Sequence, residues 1–300
     1  MTEPTPKVAS LLPAEPTPKV ASLLPAEPTP KVASLLPAEP TPRVASLLPA
    51  VPAILNSERI KLSTIRSPLW SGIAAAVLSL AVAVLQGSSA YGAAGLPPEK
   101  AALGVAVFGV PVLMVLSSMM MTGEYRSGMI RMTFAASPNR TLVVVAKAVV
   151  AAVFSAIYTV VLVVAAVIVA RLTAGPLLGA RLSLTETGVW RVAGALALFA
   201  ALAAVLGVAV GTLLRYAAGA VAVLLLWPLV VEPILGNLPN IGSQVGPYLP
   251  FGNAFVFADV QWLFPVYSMP WDRLGSLVYF AAIVALVFVA ATVVVNRRDA

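Results

Sequence analysis

The sequence predicts an all-α membrane protein with six transmembrane helices. Of its 300 residues, 60% are hydrophobic and only 10% are charged, whereas soluble domains are about 45–50% apolar and about 25% charged. The mean hydropathy is +0.95. A bilayer-spanning helix needs about 20 mostly apolar residues, and beyond residue 66 six uncharged stretches reach or approach that length. The six stretches are Ser67 to Pro98, Ala101 to Gly123, Ala148 to Ala170, Val192 to Leu214, Tyr216 to Val231 and Leu274 to Asn296.

The residue types that the chain lacks exclude several classes of chemistry. It has no cysteine and no histidine, which excludes a disulfide framework, Cys/His metal centres and a histidine-based catalytic triad. No Gly-x-x-x-x-Gly-Lys-Ser/Thr phosphate loop occurs, so we expect no ATP hydrolysis by the chain itself. A formal net charge of +7 on so apolar a chain does not indicate a nucleic-acid partner. We therefore predict a protein that is not an enzyme and has no cofactor of its own.

The first 53 residues have a different composition from the rest. A 12-residue unit, Glu-Pro-Thr-Pro-Lys-Val-Ala-Ser-Leu-Leu-Pro-Ala, begins at Glu3, Glu15, Glu27 and Glu39, with Arg43 in place of lysine in the fourth copy. This period is shorter than that of solenoid repeats, and three prolines per unit interrupt any helix. We predict that residues 1–53 are a disordered, Pro-rich tail with polyproline II character. Each copy has one acid and one base, so the net charge of +7 belongs to the rest of the chain.

The distribution of basic residues between the loops predicts the orientation. Lysine and arginine are enriched in the cytoplasmic loops of membrane proteins, and placing the N-terminus inside gives ten near-membrane basic residues inside against five outside. We predict that both termini are cytoplasmic and that the chain is a multi-pass protein of the cell membrane. The inner residues are Arg59, Lys61, Arg66, Arg126, Arg131, Arg140, Lys147, Arg215, Arg297 and Arg298, and the outer ones are Lys100, Arg171, Arg181, Arg191 and Arg273.

Local signals predict how the helices begin and connect. Ser67-Pro68 and Ser137-Pro138 have the Ser N-cap and first-position Pro that favour a helix start, here of spans 1 and 3. Spans 4 and 5 are separated by Arg215 alone and should form a tight hairpin. The segment from Glu232 to Arg273 is rich in Pro, Gly and aromatic residues, so we expect short interfacial or re-entrant helices there. An ordinary extracellular loop is the alternative.

Two features inside the spans bear on packing and transport. Gly207-x-x-x-Gly211 in span 4 allows close helix approach, either within the chain or at a dimer contact. Ionisable groups deep in a span usually mark proton or ion pathways. None is expected at mid-depth here, since Glu232 and Lys147 lie near span ends. The pattern argues against a proton-coupled secondary transporter.

Two charged segments adjoin the spans. Between spans 2 and 3, residues 123–140 combine the lone acid Glu124 with an aromatic residue, spaced arginines and apolar residues. A solvated basic loop would explain the arginines, but not an acid and an aromatic residue at the membrane exit. Before span 1, residues 57–66 would be an imperfectly amphipathic helix. At 100° per residue Leu62, Ile65 and Leu69 share one face, but Glu58 falls on the same face and Ile60 lies off it.

These two segments resemble ABC-2-type permeases, the membrane subunits of ATP-binding-cassette exporters. One resemblance is a Glu-Tyr-x-Ser/Thr-Gly pattern followed by Ile-Arg, Pro-x-Arg and Ala-Lys. The other is the run from Ser57 to Ser67, which is similar to the one that opens many actinobacterial members. The resemblance covers roughly residues 55–300 and leaves out the tail. The residues matching the first pattern are Glu124, Tyr125, Ser127, Gly128, Ile130, Arg131, Pro138, Arg140, Ala146 and Lys147.

The resemblance implies a division of roles along the chain. Residues 54–67 would form a cytoplasmic interface helix, and residues 68–300 a six-helix ABC-2-type transmembrane domain with a cytoplasmic coupling helix between helices 2 and 3. It also implies a separate ATPase subunit that binds the ATP, a second permease chain and membrane lipids as partners. The residues expected at the ATPase are Glu124, Tyr125, Arg126, Met129, Ile130, Arg131 and Phe134, and those of the interface helix are Glu58, Arg59, Lys61 and Arg66.

The function predicted from these observations is that of the permease of an ABC exporter. Spans rich in Ala, Val, Leu and Phe favour an amphipathic or lipid-like substrate over an ion. Glu124 and Arg131 are the expected polar contacts with the ATPase, and Met129, Ile130 and Phe134 its expected apolar seat. The alternatives are a secondary transporter and a non-transporting membrane scaffold of a resistance system, with the tail as its interaction arm.

Overall fold

The computed structural model describes residues 52, 54–60, 66–90, 95–137, 139–260 and 267–297. Within these residues the regular structure is helical and contains no strand. The predicted disorder of residues 1–53 falls outside the described part of the chain, apart from residue 52. The same holds for Lys61, Trp262 and Phe264.

Six helices are long and apolar enough to cross a membrane, which confirms the predicted fold class. The predicted spans were defined as stretches without charged residues, and several helices begin or end at other positions than those stretches do. Span 1 ends about ten residues earlier, and a separate one-turn helix, Pro98–Ala101, precedes span 2. The spans are Arg66–Ser88, Val105–Ser127, Arg140–Leu178, Thr187–Leu214, Ala217–Asn237 and Arg273–Arg297.

The predicted N-terminal boundary of span 3 is wrong. The helix starts at Arg140, and its N-cap is Asn139, whose side chain accepts a hydrogen bond from the backbone N–H of Leu142 at 3.0 Å. Ser137 is extended and ends the preceding helix. The early start places Lys147 about two turns inside the helix. In span 1 Arg66 is already helical, so Ser67 lies inside the helix and not at its N-cap.

Spans 2 and 4 form the centre of the bundle. In the most apolar 18-residue stretch of each span, 72% of residues are buried in span 2 and 61% in span 4, against 22% in spans 1, 5 and 6. Span 4 packs against spans 2, 3 and 6, while span 1 packs against span 3 and span 5 against span 2. Two glycines allow the central pair to approach. A Cβ on Gly207 would overlap the carbonyl oxygen of Met114, and one on Gly211 would lie 2.6 Å from that of Ser118. The Gly-x-x-x-Gly pair therefore contacts span 2 of the same chain.

Short helices follow span 5, as the sequence predicts. Span 5 continues to Asn237 through a π-helical turn, Trp227–Val231, which accommodates the missing N–H groups of Pro228 and Pro233. Helices Gly242–Val245 and Pro250–Ala258 come next, so an ordinary loop is excluded for the described residues of this segment.

A buried acid holds the longest of these short helices, Pro250–Ala258. The Glu232 carboxylate is fully buried and accepts hydrogen bonds from the backbone N–H groups of Phe251 and Gly252 at 2.9 and 3.0 Å and from Trp227 Nε1 at 2.8 Å. An acid at a helix N-terminus satisfies donors that have no partner within the helix. The other side of the helix packs against span 4, where the Phe199 and Phe255 rings lie 5.8 Å apart.

Candidate functional site

Several helix ends meet at one end of the bundle, which we call the Lys147 end; the opposite end is the Glu232 end. Span 6 is tied to the start of span 3 by two hydrogen bonds. Arg140 Nη1 donates to the carbonyl oxygen of Val295 at 3.2 Å, and Asn296 Nδ2 donates to Thr141 Oγ1 at 2.7 Å. The ends of spans 2 and 4 reach the same region. Movement of the segment between spans 2 and 3 therefore acts on several spans together.

A glycine separates span 2 from the connecting helix, Met129–Ala136. Gly128 has φ 72° and ψ 0°, and its N–H donates to the carbonyl oxygen of Tyr125 at 3.3 Å. This left-handed conformation is easily adopted only by glycine and commonly ends helices. A Cβ at Gly128 would have no atom within 4 Å. The glycine is thus required for its backbone angles and not for space.

Three charged side chains from distant parts of the chain form a buried cluster, which we call the charged triad: Glu58, Glu124 and Lys147. Lys147 Nζ lies 2.7 Å from Glu58 Oε2 and 2.7 Å from Glu124 Oε1. The lysine side chain is 1% exposed. Thr133 Oγ1 of the connecting helix lies 3.4 Å from Glu124 Oε2 and 3.2 Å from the carbonyl oxygen of Met129, and its hydroxyl proton is shared between these two acceptors. Since a buried charge is very costly without partners, the two carboxylates account for a lysine at this depth.

The triad explains the acid on the apolar face of the pre-span helix. Within residues 54–60, which are helical, Glu58 is buried and Asn56, Ser57, Arg59 and Ile60 are exposed. Glu58 therefore faces the bundle, where it meets Lys147. Arg66 is the first residue of span 1, and the position of its side chain is not described. The predicted location of residues 54–67 on the membrane surface stays a prediction.

Two arginines stack on aromatic rings beside the triad. The Arg215 guanidinium lies 5.0 Å from the centroid of the Tyr125 ring, and that of Arg140 lies 5.4 Å from the centroid of the Phe134 ring. Such cation–π contacts contribute about 0.5–2 kcal/mol each. They join the end of span 4 to span 2, and the start of span 3 to the connecting helix.

The connecting helix has an inner and an outer face. Ile130 and Phe134 are 3% and 9% exposed and pack in a cluster with Met121, Val143 and Val144.

The outer residues are Met129, which is 50% exposed, Met132, which is 75% exposed, and Arg131, with Arg126 exposed just before the helix. We call Arg126, Met129, Arg131 and Met132 the docking face.

The structure thus divides the residues that the sequence analysis assigned to an ATPase. Arg126, Met129 and Arg131 are on the exposed docking face. Tyr125 is half-buried and Glu124 is buried in the triad. The contact of Glu124, Tyr125, Ile130 and Phe134 with a partner stays a prediction. Sequence reasoning missed Met132, although its spacing of three from Met129 places both on one side of a helix.

The described residues contain no group of three or more His, Cys, Asp or Glu side chains that could hold a metal ion. The contacts that the structure shows at this site are ion pairs, cation–π contacts and apolar packing. The site can hold helices together and transmit a displacement from its exposed side.

The comparison with known families covers this whole site. A family model described as ABC-2 family transporter protein matches residues 54–227, more than half of the chain. The chain belongs to the ABC-2 transporter family. The match begins at the pre-span helix and includes the charged triad and the connecting helix of this ABC-2 permease. No curated protein matches the chain.

Membership gives the permease a place in a larger system. With six helices able to span a membrane, it is a multi-pass protein of the cell membrane. ABC-2 permeases are membrane components of ABC transporters and not enzymes, and such transporters include an ATPase partner.

Proposed function

We propose that this ABC-2 permease exports an amphipathic or lipid-like substrate, with energy from ATP hydrolysed by a separate ATPase subunit. The Lys147 end faces the cytoplasm, and the docking face binds the ATPase. The observation that supports this most directly is the two-sided connecting helix, exposed on one side and packed into the bundle on the other.

The docking face has the amino-acid composition of a protein–protein interface. Met129 and Met132 are flexible, polarisable side chains that adapt to a groove, and they are more exposed than the inner residues of the same helix. Arg126 and Arg131 flank them, and arginine is enriched at interfaces. The ATPase surface that we expect is an apolar groove with acidic residues at its rim.

When the ATPase moves the connecting helix, the inner side of that helix passes the movement on to the bundle. Ile130 and Phe134 pack with Met121 of span 2 and Val143 of span 3. Packed interiors transmit strain because they have low compressibility. ATP-driven closure of the ATPase subunits would therefore shift spans 2 and 3 through this cluster.

The proposed cargo follows from the chemistry of the spans. Buried polar side chains such as Ser117 and Thr212 donate to carbonyl oxygens of their own helices at 2.8 and 2.7 Å, which leaves a largely apolar interior. The two buried acids and the lysine of the spans, Glu124, Glu232 and Lys147, all have partners in the chain. The outward-facing side chains of the spans are apolar as well, among them Ile157, Val161 and Leu286, which are 61%, 59% and 70% exposed. An apolar or amphipathic substrate suits a wall of this kind. We propose that the path runs between this chain and a second permease chain, identical or not.

Co-purification with the partner ATPase tests the proposal. The permease is co-expressed with each candidate phosphate-loop ATPase subunit of its source organism, extracted in mild detergent and purified through a tag on the permease. We expect a stable complex whose ATP hydrolysis depends on both chains. A folded permease that is recovered without the ATPase at every salt concentration tested would contradict the proposal.

A further inference from the structure

Burying the three charges of the triad costs desolvation free energy, which apolar side chains of similar volume would not. Lys147 is among the largest fully buried side chains of the described residues. Replacing a buried ion group by apolar residues of similar volume is often neutral or stabilising. A lysine held between two carboxylates in this position therefore needs an explanation other than stability.

The triad joins segments that are far apart in sequence. Glu58 belongs to the pre-span helix, 89 residues from Lys147, and Glu124 lies in the last turn of span 2, 23 residues from it. Within residues 54–60, Glu58 is the buried residue, while Ile54 and Leu55 are half-buried. Among residues 54–60 the most deeply buried contact with the bundle is the bond of the Glu58 carboxylate to Lys147.

The connecting helix reaches the same group from its own side. The hydroxyl of Thr133, one residue after the docking-face residue Met132, is within hydrogen-bond distance of the Glu124 oxygen that Lys147 does not bind and of the carbonyl oxygen of Met129. A continuous series of polar contacts thus leads from Thr133 through Glu124 and Lys147 to Glu58. The two bonds of the lysine are charge-assisted and 2.7 Å long, a strong class of hydrogen bond.

We propose that Lys147 is a positioning residue that makes the pre-span helix and the docking face move as one unit. Displacement of the connecting helix by the ATPase then passes through the triad to residues 54–60 and on to span 1, in addition to spans 2 and 3. This inference rests on the proposed function, because it assigns a second route for the force that the ATPase supplies. Glu124 acts in it as an internal contact, bound to Lys147 rather than to the partner.

The side-chain chemistry fits this role. An ammonium group is a compact charge with three donors, so it can bind carboxylates that come from two different helices. An arginine would bring a larger, planar guanidinium into a site that is packed around a compact ammonium group. We therefore expect Lys147→Arg to retain the charge but to weaken the joint movement.

The first test measures movement directly on the full chain in lipid nanodiscs. The chain has no cysteine, so nitroxide labels can be placed on Ser57→Cys in the pre-span helix and Ala135→Cys in the connecting helix, both exposed. Pulsed electron resonance gives the distribution of the distance between them. We expect a single narrow distribution in the otherwise native chain and a broad one when the triad is removed.

The variants are chosen so that misfolding does not obscure the result. Lys147→Met alone leaves two buried carboxylates facing each other, which is strongly destabilising. The triple variant Glu58→Gln, Lys147→Met, Glu124→Gln removes all three charges at nearly constant volume. Lys100→Met, an exposed lysine at the Glu232 end, is the matched control and should behave like the native chain.

The second test measures transport per ATP hydrolysed in the complex. We expect the triple variant to bind the ATPase and hydrolyse ATP but to transport about tenfold less per ATP, within the usual range of coupling free energies. A merely structural triad would change the unfolding temperature and leave this ratio unchanged. A narrow distance distribution or a normal ratio in the triple variant would overturn the proposal. If the native chain binds no ATPase while the distances still depend on the triad, the proposed function fails and the joint movement stands.

Discussion

Replacing Gly207 with alanine should separate spans 2 and 4 and destabilise the whole bundle. The added Cβ would overlap the backbone oxygen of Met114, and a backbone atom cannot move aside as a flexible side chain can. Overpacking of this kind typically costs about 1–3 kcal/mol, occasionally more. We expect a clear fall in the unfolding temperature, measured by size-exclusion chromatography of heated samples in detergent.

The control for this prediction is in the same helix. Gly194→Ala adds the same methyl group where no atom lies within 4 Å, and alanine favours a helix over glycine by about 1 kcal/mol. Its unfolding temperature should stay equal or rise. If Gly207→Ala left the unfolding temperature unchanged and only dissociated a dimer, the glycine pair would be a contact between chains.

Placing an acid on the docking face should abolish ATPase binding without harming the fold. Met132 is 75% exposed, so Met132→Glu removes little packing within the permease. It would put a carboxylate into an apolar groove and beside the acidic rim that Arg131 is proposed to meet. Truncation of a hot-spot residue of an interface costs about 2 kcal/mol or more, and burying an unpaired negative charge there should cost more. We expect at least a thirtyfold loss of affinity, roughly the equivalent of that energy, by titration of the detergent-solubilised permease with ATPase.

Two variants control for side effects of the added charge. Leu177→Glu changes a side chain that is 90% exposed near the opposite end of span 3 and should leave ATPase affinity unchanged. Ile130→Glu, on the buried face of the connecting helix, should lower the unfolding temperature of the permease alone. ATPase binding that survives Met132→Glu would mean that the ATPase docks on another surface.

Hydropathy was sufficient to predict the six spans because each contains a long apolar run, but the uncharged stretch leaves out the first two turns of span 3. The Ser137-Pro138 signal placed the helix start close to, but before, its position at Arg140. The uncharged stretch begins at Ala148, and a lysine at 147 looks like the end of a membrane segment. In the folded chain the helix continues back to Arg140, since Glu58 and Glu124 neutralise the lysine. A buried ion pair between residues so far apart leaves little trace in a single sequence.

The contacts of the candidate site were also hard to predict, because they join residues that are distant in sequence. Glu124 is a lone acid at the exit of span 2, and the family pattern predicts that it contacts the ATPase, which stays a prediction. Its bond to Lys147 was not predicted, and the weak signal for that bond was Glu58, an acid on an otherwise apolar helix face. The two faces of the connecting helix were easier to predict from the sequence, because helical spacing separates Met129 and Met132 from Ile130 and Phe134. Composition alone had grouped Met129 with the two buried residues.

ATP-driven movement of a lipid-like probe tests the central claim most directly. The permease and its ATPase are reconstituted into liposomes, and a fluorescent phospholipid analogue is followed across the bilayer with ATP supplied to the Lys147 end. We predict transport that needs both subunits and ATP hydrolysis, and that is lost with Met132→Glu but kept with Lys100→Met. Transport that proceeds without the ATPase, or that a proton gradient alone can drive, would contradict the account.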